Sequence, residues 1–322
     1  MAKVKYQFQE GISLSEFLSE YGTETQCTEA LFKMKWPNGY CCKHCNNDSY
    51  CYISGDKLYR CNSCKRSTTL KSGTIFQNSN QPLTIWFQAI YFMTQSKHGI
   101  SAMELKRKLG IKKHDNALAM KHKLMQAMQE REDSKELSGR IEVDDSFIGG
   151  ENHGGKRGRG SENKTPFVAA VSTTEGKPNQ LKLQTVESHD TKSLVEFFKN
   201  HTDITNTQVC SDGLSCFSTA CKELGLEHER IVVSDSKLRS VDIANFNWVN
   251  TALGNLKKFI NGTHQAITKN YIQRYLAEFQ YRFNRRFDLK SIFSRMLYAC
   301  VIGSYTPIHE HCNVPRKRAK IN

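Results

Sequence analysis

The sequence predicts a multidomain α/β chain, on three observations: two Cys-x-x-Cys pairs near its start, a basic stretch of helical periodicity behind them, and a later change to β-branched runs carrying aspartate. Its 322 residues suffice for two or three domains, and a hydrophobic content of 38% suffices to give them cores. No apolar run approaches the ~20 residues of a membrane span, and Met1–Glu20 lacks the apolar centre of a secretion signal. A membrane protein and an exported disulfide scaffold are both disfavoured, so the twelve cysteines read as reduced thiols of a cytoplasmic protein. Forty-six Lys and Arg against thirty-two Asp and Glu leave +14, which makes a polyanion the expected partner.

The cysteine pairs come first. Cys42 with Cys45, and Cys61 with Cys64, are separated by fifteen residues, the spacing of a ribbon that holds a structural Zn²⁺ on four thiolates. Tyr50 to Tyr59 can fold as the hairpin that carries the second pair to the metal. Cys41 is an alternative ligand, although Cys42 keeps the two-residue gap. So small a ribbon draws its folding energy from the metal, on the order of 10 kcal/mol. It is expected at residues 26–72, after a helical segment at 1–25. His44 is expected to face DNA or solvent, since four thiolates complete a tetrahedron.

Residues 73–135 then read as three helices. Pro82 to Gln95 is apolar and ends before Gly99. Ser101 and Glu104 form the pattern of a capping box for a helix to Leu109, and Gly110 closes it. Lys113 to Gln129 places Ala117, Met120, Leu124 and Met128 on one face. Three helices with a short glycine turn before the last describe a helix-turn-helix, or else a helical linker with a solvated basic face. In the first case Lys113, His114, Asp115 and Asn116 enter a major groove, while Lys112 and Lys121, within the cluster Lys97, Lys106, Arg107, Lys108, Lys112, Lys113, Lys121 and Lys123, meet phosphates.

After a polar linker, Arg131 to Ser138, strands follow at 140–148, 167–173 and 181–188, a helix at 191–201, and a strand at 208–210 ending in Asp212. The glycine-rich basic insert 149–164 reads either as a solvated loop or as one lying along a phosphate backbone, with Lys156, Arg157 and Arg159 as contacts. Asp144 and Asp145 sit inside the first strand; a solvent-facing edge position explains Asp145, whose replacement by Asn is expected to be tolerated. Three strands, a helix and a strand ending in Asp is the order of an RNase H-like mixed sheet with flanking helices. A domain at 138–305 and a basic tail at 306–322 complete the expected organisation.

The strings IEVDDSFIGG (141–150), SDG (211–213), NWVNTALGNLKKFINGTHQAI (247–267) and RYLAEFQYRFNRRF (274–287) resemble the zinc-ribbon insertion-sequence transposases, a branch of the RNase H-like DDE superfamily. Upstream, SGTIF (72–76), LTIWFQAIYFM and KHGISAMELKRKLGI extend the likeness to about residues 25–300. The resemblance implies a DNA transposase of a bacterial insertion sequence. Such an enzyme binds terminal inverted repeats, cuts 3′ ends and joins them to target DNA as a homodimer or higher oligomer on double-stranded DNA in the nucleoid. It places the first two catalytic acids on Asp144 and Asp212. Its third position, usually acidic and seven residues before a Lys, falls on Asn250 ahead of Lys257, a D-D-N-K set.

At ~100° per residue, Asn247, Asn250, Gly254 and Lys257 form one stripe of a helix expected at 244–260. Gly254 there suggests close approach of DNA or another backbone. Two Mg²⁺ or Mn²⁺ ions about 4 Å apart suit the chemistry, with Asp144, Asp212 and Asn250 as ligands and Lys257 as a phosphate clamp. The alternatives are a catalytically inactive DNA-binding regulator derived from a transposase, and a nuclease that cuts without joining.

Other residues read more plainly. Asp190 is an N-cap and not the partner of a catalytic His189. His264, in the turn NGTHQA, reads as an ordinary turn residue, with a position near DNA as the lesser alternative. The series Tyr271, Tyr275, Phe279, Tyr281, Phe283 and Phe287 is mostly core, with Arg274, Arg282, Arg285 and Arg286 tracking phosphates on the other side, and PRKRAK (315–320) is a disordered basic end.

Overall fold

A computed structural model describes residues 10–96, 98–149, 164–231, 246–264 and 267–303. Lys97, the contacts Lys156, Arg157 and Arg159, and the basic tail lie outside the described residues. Among them no helix is long and apolar enough to cross a membrane. The described residues gather into two compact units, one of 12–92, 102–127 and 293–303, the other of 10–11, 93–101 and 128–292.

The first unit opens with helices α1 (Leu14–Tyr21) and α2 (Glu24–Lys35), each started by a capping box, Ser13 with Glu16 and Thr23 with Gln26. Strands β1 (Tyr50–Ile53), β2 (Leu58–Cys61) and β3 (Ser67–Thr69) form an antiparallel meander, so the expected hairpin has a third strand. The ribbon is not coreless. Phe32 and Trp36 of α2 pack with Tyr40 and Tyr59, the Trp36 ring lying 5.0 Å from Tyr40 and 5.2 Å from Tyr59.

Helix α3 (Leu83–Gln95) begins where the Glu24 carboxylate accepts from the Leu83 and Thr84 N–H groups at 2.9 and 3.0 Å. Helix α4 (Ala102–Leu109) ends at Gly110, whose φ of +65° lets the Ile111 N–H return to the Lys106 carbonyl at 3.0 Å. Helix α5 (His114–Asp133) follows, with Ala117, Met120, Leu124 and Met128 all buried, as their spacing predicts. It runs further than expected, so the polar linker is shorter. Glu132 is 1% exposed and bound by Arg285 at 2.7 Å, not solvated. Burial pushes its carboxyl up, but Arg285, Lys135 and Asn284 outweigh that and leave it below the usual range.

The second unit is built on a five-stranded mixed sheet in the order β6-β5-β4-β7-β8. Its strands are β4 (Leu137–Ile148), β5 (Thr165–Thr174), β6 (Lys177–Thr185), β7 (Thr202–Ser211) and β8 (Glu227–Arg230). The first three run as an antiparallel meander, turning at Glu175 and Gly176, whose φ values of +51° and +70° suit a two-residue hairpin. Helix α6 (Thr191–His201) crosses over to β7, which lies parallel to β4, and α7 (Ser215–Leu224) crosses to β8. One face packs Ile141, Val143, Val168 and Ala170 on Leu194, Phe198 and Phe217 of α6 and α7. The other packs Phe167, Ala169, Val171 and Leu183 on helices α8 (Trp248–Thr263) and α9 (Ile272–Phe283). Helix α10 (Ile292–Ile302) follows.

The edge strand β6 is covered by amide side chains. Asn284, Gln280 and Gln273 accept from the N–H groups of Leu181, Leu183 and Thr185 at 2.7, 2.9 and 2.8 Å, occupying donors that an added strand would use.

Candidate active site and metal centres

The two Cys-x-x-Cys knuckles repeat one backbone turn. Asn46 N–H returns to the Cys42 carbonyl at 2.9 Å and Lys65 N–H to the Cys61 carbonyl at 3.1 Å, with both donors at positive φ, +58° and +59°. That turn aims two thiols of each pair to one side. The Sγ atoms of Cys42 and Cys64 lie 3.6 Å apart and those of Cys45 and Cys61 3.5 Å, all four within 4.8 Å. A tetrahedron of ~2.3 Å metal–sulfur bonds has edges of about 3.8 Å, so the set fits a four-thiolate metal centre. N–H groups of His44 and Cys45 draw the Cys42 thiol down to about 6, and that of Asn47 lowers Cys45, while against the Arg66 N–H burial and the neighbouring thiols push Cys64 up to about 11. Cys41 is exposed and outside the cluster; His44 binds Arg66 at 2.7 Å.

The second centre forms where two adjacent parallel strands end. Val143 of β4 pairs with Ser211 of β7, so Asp144 and Asp212 are the next residues along each. Oxygens of Asp144, Asp145 and Asp212 lie within 4.8 Å of one another, a group able to hold a divalent metal. Burial, then Asp212, then Asp145 push the Asp144 carboxyl up to about 6, opposed by the Asp145 N–H and by the charge of Lys257. Lys257 is thus felt at Asp144 from α8. Asn247, Asn250, Gly254 and Lys257 are all exposed, as one stripe of that helix. A Cβ added at Gly254 would meet nothing within 4 Å, so among the described residues no backbone makes the close approach expected there.

Asp145 is a correction. Strand β4 is the central strand, not an edge, and the Asp145 side chain is 7% exposed, paired with His189 at 3.2 Å. Its neighbour Asp190 caps α6 as expected, accepting from Ser193 N–H at 2.8 Å.

Glu142 went unread. It lies two residues before Asp144 on the same face, 1% exposed, and its carboxylate accepts from Trp248 and Val249 N–H at 2.7 and 3.1 Å. Asn247, the N-cap residue of α8, makes no side-chain cap bond, so Glu142 is what holds the helix start against the strand that bears Asp144. The period-two alternation of 142 and 144 within a β-branched run was the available signal. Glu142→Ala is expected to cost about 2–3 kcal/mol in urea unfolding, from the lost cap and the stranded N–H groups. Glu142→Gln keeps an acceptor and should lose less; an alanine variant as stable as the parent would contradict the capping role.

The expected DNA contacts divide. Lys112, Lys113, His114 and Asn116 are exposed where α5 begins, as are Arg107 and Lys108. Lys121 is fully buried beside Met120 and Leu124, so its ammonium does not reach a phosphate, and Lys123 donates to the Gln77 carbonyl at 3.0 Å. The arginines of α9 and of the turn after it are spent inside the fold. Arg285 binds Glu132, Arg286 binds the Pro178 and Asn179 carbonyls, Arg282 binds that of Ser96, and Arg274 is 6% exposed. His264 is buried as well, 8% exposed between Phe259 and Tyr275 and 4.0 Å from Glu278.

A first-second-third meander, a crossover to a parallel fourth strand beside the first, and carboxylates where those two strands end define an RNase H-like nucleotidyl-transferase domain. Comparison with known proteins agrees. Residues 136–284 match the ISXO2-like transposase domain, and residues 22–67 match a transposase zinc-ribbon domain. The chain belongs to this family of zinc-ribbon transposases. It is similar to an uncharacterized protein in transposable element ISH50 of Halobacterium salinarum, 20% identical over 282 residues that cover 82% of this chain and 92% of that one. Among solved structures it is similar to a chain of a simian T-cell lymphotropic virus intasome in complex with PP2A regulatory subunit B56 gamma, at TM-score 0.28 and 11% identity over 61% of this chain. That match spans 65% of the other chain, under two thirds of its length. A pre-cleavage Mos1 transpososome gives TM-score 0.22 at 9% identity, over 69% of this chain and 80% of that one.

Proposed function

We propose that the protein binds the terminal inverted repeats of its own element as double-stranded DNA, cuts their 3′ ends and joins them to target DNA, as a homodimer or higher oligomer. The convergence of Asp144 and Asp212 at the ends of adjacent strands, inside a transposase domain, carries this reading. Residues 26–72 and 73–135 serve to hold DNA, and 138–305 to perform the chemistry. Zn²⁺ on Cys42, Cys45, Cys61 and Cys64 is structural. Exposed Lys113, His114 and Asn116 are the groove-facing set, and Lys112, Lys156, Arg157 and Arg159 are phosphate contacts.

Two Mg²⁺ or Mn²⁺ ions, held by Asp144, Asp212 and Asn250, would supply activation of the attacking oxygen and charge at the leaving one. Asn250 offers a neutral carbonyl oxygen, so the site depends more on the substrate phosphate than a three-acid site does. Lys257 clamps that phosphate and, by its charge at Asp144, favours the ionised carboxylate.

The test is incubation of the full chain with a labelled linear fragment carrying the element's ends and Mg²⁺. Joined products support the reading. Cut but unjoined products favour a nuclease, and binding alone favours an inactive regulator. Within an active protein, Asn250→Ala is expected to slow cleavage several hundred-fold, about 3 kcal/mol, while Asn250→Asp stays active and saturates at lower Mg²⁺. If Asn250→Ala cuts and joins like the parent, the ligand role is wrong.

A further inference from the structure

We propose that Asp145 joins Asp144 and Asp212 in holding the divalent metal, and that His189 is the positioning residue that brings it there. The proposal rests on the metal-dependent reading above and deepens it. Alternation along β4 sends Asp144 toward α8 and Asp145, paired with Val168, toward α6. On that ground alone the two carboxylates should part, yet an oxygen of Asp145 lies within 4.8 Å of both others.

His189 accounts for the difference. It stands directly before the cap of α6, and its Nδ1 lies 3.2 Å from Asp145 Oδ2, both side chains being 7% exposed. The ring is itself held on two further sides: Nε2 lies 3.2 Å from the Phe167 carbonyl, and the Phe147 ring meets it edge-on at 4.8 Å. A carboxylate can only accept, so the Nδ1–H tautomer of the ring is the one that donates to Asp145. A hydrogen-bonded second layer of this kind orients metal-ligating carboxylates in general.

Charge bookkeeping points the same way. Asn250 brings no negative charge to a site that must hold divalent cations beside DNA phosphate, and Asp145 brings the third carboxylate from the strand instead of the helix. The sequence reading, in which Asn at 145 is tolerated, is reversed.

The test is Mn²⁺ binding to the full chain without DNA, followed by the electron paramagnetic resonance of free Mn²⁺, with folding checked by circular dichroism. Asp145→Asn is expected to weaken binding roughly 10- to 100-fold. His189→Asn places an amide N–H where Nδ1 stood and should stay near the parent. His189→Gln places it where Nε2 stood, serving Phe167 but not Asp145, and should weaken binding like Asp145→Asn. In cleavage, His189→Gln should raise the Mg²⁺ needed for half-maximal rate more than it lowers the rate at saturation. A structural role for His189 predicts the reverse order of Asn and Gln and would overturn the positioning claim. Parent-like Mn²⁺ binding by Asp145→Asn, with binding lost in Asp144→Asn, overturns the proposal and leaves the metal-site reading standing. Parent-like binding by Asp144→Asn sinks both.

Discussion

Cys61→Ser is expected to release the ribbon metal and unfold residues of about 42–64, the largest stability effect available in the chain. Cys61 is fully buried with its sulfur 3.5 Å from that of Cys45, so serine removes one corner of the tetrahedron where no water can replace it. A structural four-thiolate site contributes on the order of 10 kcal/mol to its fold. The packing of Phe32, Trp36, Tyr40 and Tyr59 offsets part of the loss, so α2 should persist while the strands melt. Metal content per chain, hydrogen-exchange protection across the ribbon and binding to inverted-repeat DNA should fall together, while the five-stranded sheet keeps its own melting transition. Stoichiometric metal in the serine variant would refute this.

Asp144→Asn is expected to lower end cleavage by about 10³-fold or more, on the order of 4 kcal/mol, with binding of the ends unchanged. Asp212→Asn should behave alike, because the two residues meet across one parallel strand pair. The metal-free protein offers an independent measurement. Burial, with Asp212 and Asp145 close by, raises the Asp144 carboxyl from 3.8 to about 6. The folded state therefore holds a proton that the unfolded state has already lost in that window. Stability is full below the unfolded value and declines as pH rises through about 6, by up to about 3 kcal/mol. Asp144→Asn cannot lose that proton, so the variant should show a flatter stability profile and be the more stable above pH 6. A parent profile that runs parallel to the variant's between pH 4 and 6 would show that Asp144 is ionised at its ordinary value.

Much of this site was legible because its signals are local. The Cys-x-x-Cys gap, the Gly110 turn, the Asp190 cap and the stripe of Asn250 and Lys257 each depend on residues within two helical turns of one another. The strand order was legible too, since a meander followed by a helical crossover leaves few ways to pair β7. Fates of long charged side chains were not. Lys121, Arg285 and Arg286 read as phosphate contacts because charge ordinarily faces solvent, yet each is spent inside the fold, Arg285 on Glu132 153 residues earlier.

By itself, then, the sequence determined helices α3 to α6, strands β4 to β7, the four-thiolate ribbon, the transposase class and the strand positions of Asp144 and Asp212. Tertiary structure alone decided that Glu142 caps α8, that α9 amides cover the β6 edge, and that His189 pairs with Asp145. The physical reason is range. Turn geometry and periodicity act between residues a few positions apart, whereas a buried polar group takes whatever partner the packed chain brings to it, at any separation in sequence.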